Sequence, residues 1–359
     1  MRLTPYFDKS GSGLHWSSAA IMKIRTGYAI TYETFQPTPM MFLLSVHPSR
    51  AGDILTPEVM TFDPPVDAHQ YLDAFGNVTT RILAPAGRIT VATDFLVHDS
   101  GELDPVVPDA RQHPVQDLPD EAMRFLLGSR YCDTDKLSNI AWELFGAGPE
   151  GWGRVQAVCD FVNRHIKFNY QDADATRSAH DAYTQQRGVC RDYAHLAVAF
   201  CRCLNIPARY CTGYLGDIGV PVVPPPDFSA WFEVYLGGAW HTFDARNNRR
   251  RIGRIVIARG RDATDVAIST SFATALLLRF DVHTDEVLEE GESPTPILTA
   301  EEAAAVTGKP TDRPKKAAGS AKTPETAVAP VKSPETAVVP TEAATVNTPK
   351  ATAGLTKVA

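Results

Sequence analysis

Cys190 is the residue around which chemistry can be built. It follows Gly188 by two positions and opens an apolar run that ends at Asn205-Ile206-Pro207. The glycine frees the backbone for a sharp turn. Ala194, Ala197, Val198 and Cys201 then follow Cys190 at helical spacing, so the thiol belongs to the buried face of a helix. A cysteine at a helix N-terminus meets unpaired backbone N–H groups and the positive end of the dipole, which favour thiolate. That suits a nucleophile. A buried structural cysteine is the alternative.

A thiol that attacks carbonyls also needs an imidazole to handle its proton and a group to orient that imidazole. Gly188-Val189-Cys190-Arg191-Asp192 with Ala194-His195-Leu196, then Ile206-Pro207-Ala208-Arg209-Tyr210 and Gly213-Tyr214-Leu215, resembles the bacterial transglutaminase-like family, within the papain-like cysteine-enzyme superfamily. The resemblance covers most of residues 22–285. It implies that the histidine opens a strand in a His-Ala-Trp motif and that the aspartate follows on the next strand. Here the first motif reads Asp227-Phe228-Ser229-Ala230-Trp231 and the second Trp240-His241-Thr242-Phe243-Asp244. Asp244 matches. Ser229 stands where the histidine is expected, and serine is no base near neutral pH. Its hydroxyl is left to hydrogen-bond the thiol or hold a water.

Two other histidines come under consideration. A two-residue turn at Gly237-Gly238 sets Trp231 opposite Asp244, Ser229 opposite Arg246 and His241 opposite Val234. Ser229 and Asp244 then share one face and His241 points to the other, unless a bulge shifts the register. His241 is therefore the weaker candidate base. His195, five residues after Cys190, lies roughly 140° around the helix and is expected to be structural, packing beside Arg191 or Asp192. His180 precedes Gly188 in a segment that the resemblance places beside the cleft.

Elements that position these residues can be read on either side. Residues 22–115 read as short strands, with Ile89, Val91, Phe95 and Val97 largely alternating with polar positions, which suggests a β-sandwich. Proline-rich 105–119 marks a boundary. Leu137, Ile140, Ala141 and Leu144, then Val155, Val158, Cys159 and Val162, repeat as two helices. After the Cys190 helix come strands over 208–215, 231–236, 240–244 and 254–258, with Phe280-Asp281-Val282 as a further one. The expected fold is α+β: a papain-like transglutaminase core (116–290) of helices on an antiparallel sheet, preceded by a β-sandwich domain (22–115). Residues 1–21 form an extension, with Met22 a candidate start. Residues 291–359 form a disordered tail rich in Pro, Ala, Thr and Lys, in which Lys322-Thr323-Pro324-Glu325-Thr326-Ala327-Val328 recurs ten residues on.

The net charge is −7, and residues 306–359 carry a balance of +4, so the rest carries −11; an acidic body argues against nucleic acid as a partner. No cofactor is implied, since neither a glycine-rich phosphate loop nor a metal-spaced cluster stands in the sequence. No stretch approaches the ~20 apolar residues of a membrane span. Reduced thiols in a cytoplasmic protein are the expectation for the six cysteines. The functional expectation is a transglutaminase-like cysteine hydrolase acting on a peptide or protein through a Cys190 thioester. An inactive peptide- or protein-binding module, a cross-linking acyltransferase and a scaffold are the alternatives. Oligomeric state is not encoded legibly.

Overall fold

Alternating burial builds the first layers. A computed structural model describes residues 22–304 and the two-residue strand Lys357–Val358. β1 (Met22–Thr34), β2 (Thr38–Phe42), β3 (Thr61–Asp63), β4 (Ala68–Leu72), β5 (Val78–Ala84) and β6 (Gly87–Asp99) come first. Along β6, Ile89, Val91, Phe95 and Val97 are all buried, on the alternation read from the sequence.

The helical part holds α1 (Asp120–Met123), α2 (Thr134–Phe145), α3 (Trp152–His165), α4 (Ala179–Gln185) and α5 (Cys190–Cys203). The two-residue strands β7 (Lys167–Phe168) and β8 (Arg187–Gly188) pair in parallel and lead into α5. The second half of the chain adds β9 (Ala208–Leu215), β10 (Phe228–Leu236), β11 (Ala239–Phe243), β12 (Arg254–Gly260), β13 (Ser269–Ser271) and β14 (Ala275–Val287).

These strands form three larger sheets. One runs β14-β1-β6-β3, a second carries β13-β2-β5-β4, and the third is antiparallel in the order β11-β10-β9-β12. The strand expected at 280–282 is thus a long one that pairs with β1 in the first sheet and not with the third. Helices α2, α3 and α5 cover one face of the third sheet through Val155, Val158, Leu196, Phe200, Phe232 and Val234. Tyr214 and Ile255 of that sheet join Ile24, Phe42 and Phe95 in a second core. The mixed α/β architecture with antiparallel sheets is as expected. Residues 291–304, read as tail, bond to the body: Leu298 N–H donates to Gly219 O at 2.9 Å and Arg250 N–H to Ala303 O at 2.9 Å. Most of the expected tail, its repeat and the 1–21 extension lie outside the described residues.

α5 is the central helix. Every residue from Arg191 to Cys203 is buried, so it has no polar face, and each charged side chain must find partners inside. Arg202 donates to Ala208 O and Leu127 O, both at 3.0 Å. Each fully buried Leu, Val or Phe along it contributes roughly 1.5–3 kcal/mol.

Candidate active site

The α5 N-terminus is built by its second acid. Asp192 turns back so that its carboxylate accepts the Val189 N–H at 2.8 Å and the Arg177 guanidinium at 3.2 Å. This leaves no space over residue 188: a Cβ there would lie 2.2 Å from Asp192 Oδ2, so only glycine fits. Gly188, Val189 and Asp192 together set Cys190 at the first helical position. Arg191 donates to Asp174 O and lies 5.2 Å over the Tyr131 ring.

Cys190 is half-buried and packs against the second core. Its thiol does not follow the expectation of a depressed pKa. Burial pushes it up, to about 11; the Arg246 guanidinium and the backbone N–H of Ala230 pull the other way, while Asp227 and Asp192 add to the rise. Loss of water around the sulfur outweighs the favourable helix end.

The β10–β11 hairpin has the register read from its sequence. Phe232 pairs with Phe243 and Val234 with His241, across a turn in which Gly237 and Gly238 take φ of 58° and 86°. No bulge intervenes, so His241 lies on the opposite face from Ser229. Its Nε2 bonds Leu236 O at 3.0 Å and its ring packs on Trp152. These contacts occupy the His241 ring.

His195 stacks 5.0 Å from Tyr131 and 4.8 Å from Tyr210, and its Nε2 accepts the Ala263 N–H at 3.1 Å. Burial, then the Arg191 charge, lower its pKa and keep it neutral. It is structural as expected, although its neighbours are two tyrosines. His180 stands in the first turn of α4, where its backbone N–H bonds Asp133.

Asp244 is buried, and its carboxylate is held by Arg254 and Asn247. Oδ2 meets Arg254 Nη2 at 2.9 Å, and both oxygens bond Asn247, each at 2.8 Å. Burial alone would raise its pKa; Arg254 and Asn247 outweigh that and hold it below the usual carboxylate value. The Ser229 hydroxyl is buried and has no hydrogen-bond partner among the described residues, so Asp244 does not orient it.

Ser229 instead lines a polar pocket of about 220 Å³ with Tyr170, Asp227, Arg246, Asn247 and Arg251. Arg246 stacks 4.1 Å over Phe168. Asp227 immediately precedes β10, and burial raises its carboxyl to about 6 against the Phe228 N–H and Arg246. Asp227 and Arg246 were not picked out from the sequence as site residues. The signal was present: Asp227 is two residues from Ser229, and the register read from the sequence, extended beyond the hairpin, sets Arg246 opposite Ser229.

A family model for the transglutaminase-like superfamily matches residues 140–245. The crystal structure of a candidate cysteine protease from Cytophaga hutchinsonii is 32% identical, with a TM-score of 0.65, over 76% of this chain and 93% of that one. The chain belongs to the transglutaminase-like superfamily. This transglutaminase-like chain is also 27% identical over 212 residues to an uncharacterized protein of Mycobacterium leprae, across 57% of its own length and 75% of the relative. An uncharacterized protein of Mycobacterium bovis is 26% identical over 272 residues, covering 65% and 82%. The superfamily match spans α5, the hairpin and Asp244. Among the described residues no His, Cys, Asp and Glu gather as a metal-holding group, and no helix is long and apolar enough to cross a membrane.

Proposed function

We propose that this chain is a cysteine hydrolase that cleaves peptide or amide bonds through a thioester on Cys190. The observation that carries it is the setting of Cys190: a half-buried thiol at the first position of a helix whose other residues are all buried, its start fixed by the Gly188–Asp192 packing. Cys190 N–H stands at the helix start, outside the intrahelical ladder, where it supports an oxyanion. The sulfur adds to the carbonyl carbon, the C–N bond breaks and the amine leaves with a proton. Water then cleaves the thioester and returns the thiol. Likeness to the Cytophaga hutchinsonii candidate protease supports hydrolysis.

A binding module without catalysis is the second reading, favoured by Ser229 in place of an imidazole and by the raised thiol pKa. Incubation with p-nitrophenyl acetate separates the two. An acetyl group that maps to Cys190 by peptide mass spectrometry, and is lost in Cys190→Ala, supports the hydrolase. An unmodified Cys190 at every pH from 6 to about 10 would leave the binding module.

A further inference from the structure

Two cavities meet at the loop that joins β9 to β10. The first, of about 220 Å³, is the polar one beside Ser229. The second, of about 380 Å³, shares Leu215, Asp217, Val220, Pro221, Val223 and Asp227 with it. Together they fall in the range of about 300–1,000 Å³ that small ligands occupy. Among the described residues none from α5 lines either one, so the site stands apart from the Cys190 helix. The loop is braced from both sides. Asp217 accepts the Val223 N–H at 2.8 Å and pairs with Arg251 at 3.2 Å, and Gly219 O accepts the Leu298 N–H at 2.9 Å.

The two cavities differ in charge. Arg246, Arg249 and Arg251 line the first, against Asp217 and Asp227. Arg251 already pairs with Asp217, whereas Arg246 and Arg249 make no ion pair among the described residues. Ser229 and Arg251 are more than nine-tenths buried, yet the Ser229 hydroxyl and Arg251 Nε have no partner among those residues. Such atoms are costly to bury unsatisfied, and a ligand group would satisfy them. An excess of one positive charge suits a singly charged carboxylate better than a phosphate monoester of about −1.5 to −2. The second cavity is walled by Ile218, Val220, Pro221, Val222 and Ile297; Asp285 and Glu286 also line it, and no Lys or Arg does among the described residues. A carboxylate is therefore drawn to the arginine end, and an apolar chain with N–H groups to the other.

We propose that the joined cavities hold the C-terminal end of a peptide, its terminal carboxylate among Arg246, Arg249 and Arg251 and its last apolar side chains against Ile218, Val220 and Pro221. The Ser229 hydroxyl and Arg251 Nε then gain the acceptor they lack. Asp227, in the wall common to both cavities, is placed to accept a peptide N–H. A fatty acid offers the same carboxylate on an apolar body. Its tail, however, would lie against Asp285 and Glu286, where a peptide sets N–H groups or an ammonium. The inference rests on the peptide-handling function proposed above for its ligand class, and it needs no chemistry at Cys190.

The test is calorimetric titration of the full chain carrying Cys190→Ala, so that turnover adds no heat. The probes are the tripeptide alanyl-leucyl-leucine, its C-terminal amide, hexanoate and inorganic phosphate. The tripeptide acid should bind at millimolar concentration or below, and the amide about 10-fold more weakly, because a charge-assisted hydrogen bond is lost. Arg246→Gln should weaken the acid by a similar factor and leave the amide unchanged. Arg249 is exposed, so Arg249→Gln should do the same a few-fold without disturbing the fold. Added salt should narrow the gap between acid and amide. Equal binding of acid and amide, or a gap that survives both arginine substitutions together, overturns the carboxylate site. Hexanoate or phosphate binding more tightly than the tripeptide overturns the peptide end as ligand. No binding of any probe at millimolar concentration overturns the site itself. Tripeptide binding in a chain whose Cys190 does not acetylate removes the hydrolase reading alone and supports this one.

Discussion

Asp244 Oδ2 lies 2.9 Å from Arg254 Nη2, and Arg254 Nε lies 2.8 Å from Asp104 on its other side. Asp244, the orienter that the resemblance implied, is thus one arm of an Asp104–Arg254–Asp244 clamp in which Arg254 and Asp244 are buried. Breaking one arm of such a clamp leaves buried charge uncompensated. Asp244→Ala should cost about 3 kcal/mol in urea unfolding. Because the pKa of Asp244 is depressed, this stability is present above the ordinary carboxylate pKa and is lost as pH falls below it. Alkylation of Cys190 by iodoacetamide should change less than two-fold in the same variant. A larger drop would mean that Asp244 acts on the thiol after all.

Legibility from sequence divided along physical lines. The Cys190 helix and the 236–239 hairpin were readable because local spacing and a Gly-Gly turn set them, with no distant partner required. The fate of Asp244 was not readable. It depends on Arg254 of β12, which reaches it only because β12 pairs with β9. The thiol pKa was misjudged for a related reason. A helix end can be inferred from local sequence, whereas the desolvation that overrides it comes from tertiary packing. Ser229 in place of the expected histidine was visible at once. Its neighbour Asp227 gained meaning only when the segment before β10 closed a pocket around both. The sheet that the 280–282 strand joins was not legible, because pairing across about 250 residues leaves no local trace.

The Gly188–Asp192 packing makes a double-mutant prediction. Gly188→Ala forces a Cβ to within 2.2 Å of the Asp192 carboxylate and must drive it off the Val189 N–H. The loss combines a broken cap with a disturbed Arg177–Asp192 pair, about 2–3 kcal/mol together. Asp192→Ala removes both the clash and the cap. The double variant should therefore be no less stable than Asp192→Ala alone, and chemical denaturation of the three should show that coupling. Additive losses would place the Gly188 effect elsewhere.

Glu58 tests the β-layers independently of the site. Its carboxylate accepts the Val46 N–H at 2.9 and 3.1 Å through its two oxygens, yet burial raises its pKa to about 7. A carboxyl with a raised folded pKa contributes stability that is fully present below the unfolded pKa and is lost as pH rises through the folded one. Stability from this group therefore falls as pH rises from about 4.5 to 7. After discounting for its partial exposure, the change is on the order of 1–2 kcal/mol. Glu58→Gln should flatten that part of the stability–pH curve in urea titrations. An unchanged slope would assign the pH dependence to other groups.

Ser229→His places an imidazole at the position where the superfamily resemblance expects one. The 220 Å³ pocket beside Ser229 offers space, and Asp227 and Arg246 would be its neighbours. Asp244 stays tied to Arg254 and Asn247, so the new ring would lack its usual orienter. General-base assistance typically contributes 10²–10⁴-fold, and an unoriented ring should reach only the lower end. The expected result is about 10²-fold faster hydrolysis of acetyl-Cys190 than in the unmodified chain, with a pH midpoint of about 6.5 from the imidazole. An unchanged rate across that midpoint would show that a ring at position 229 does not reach the thioester.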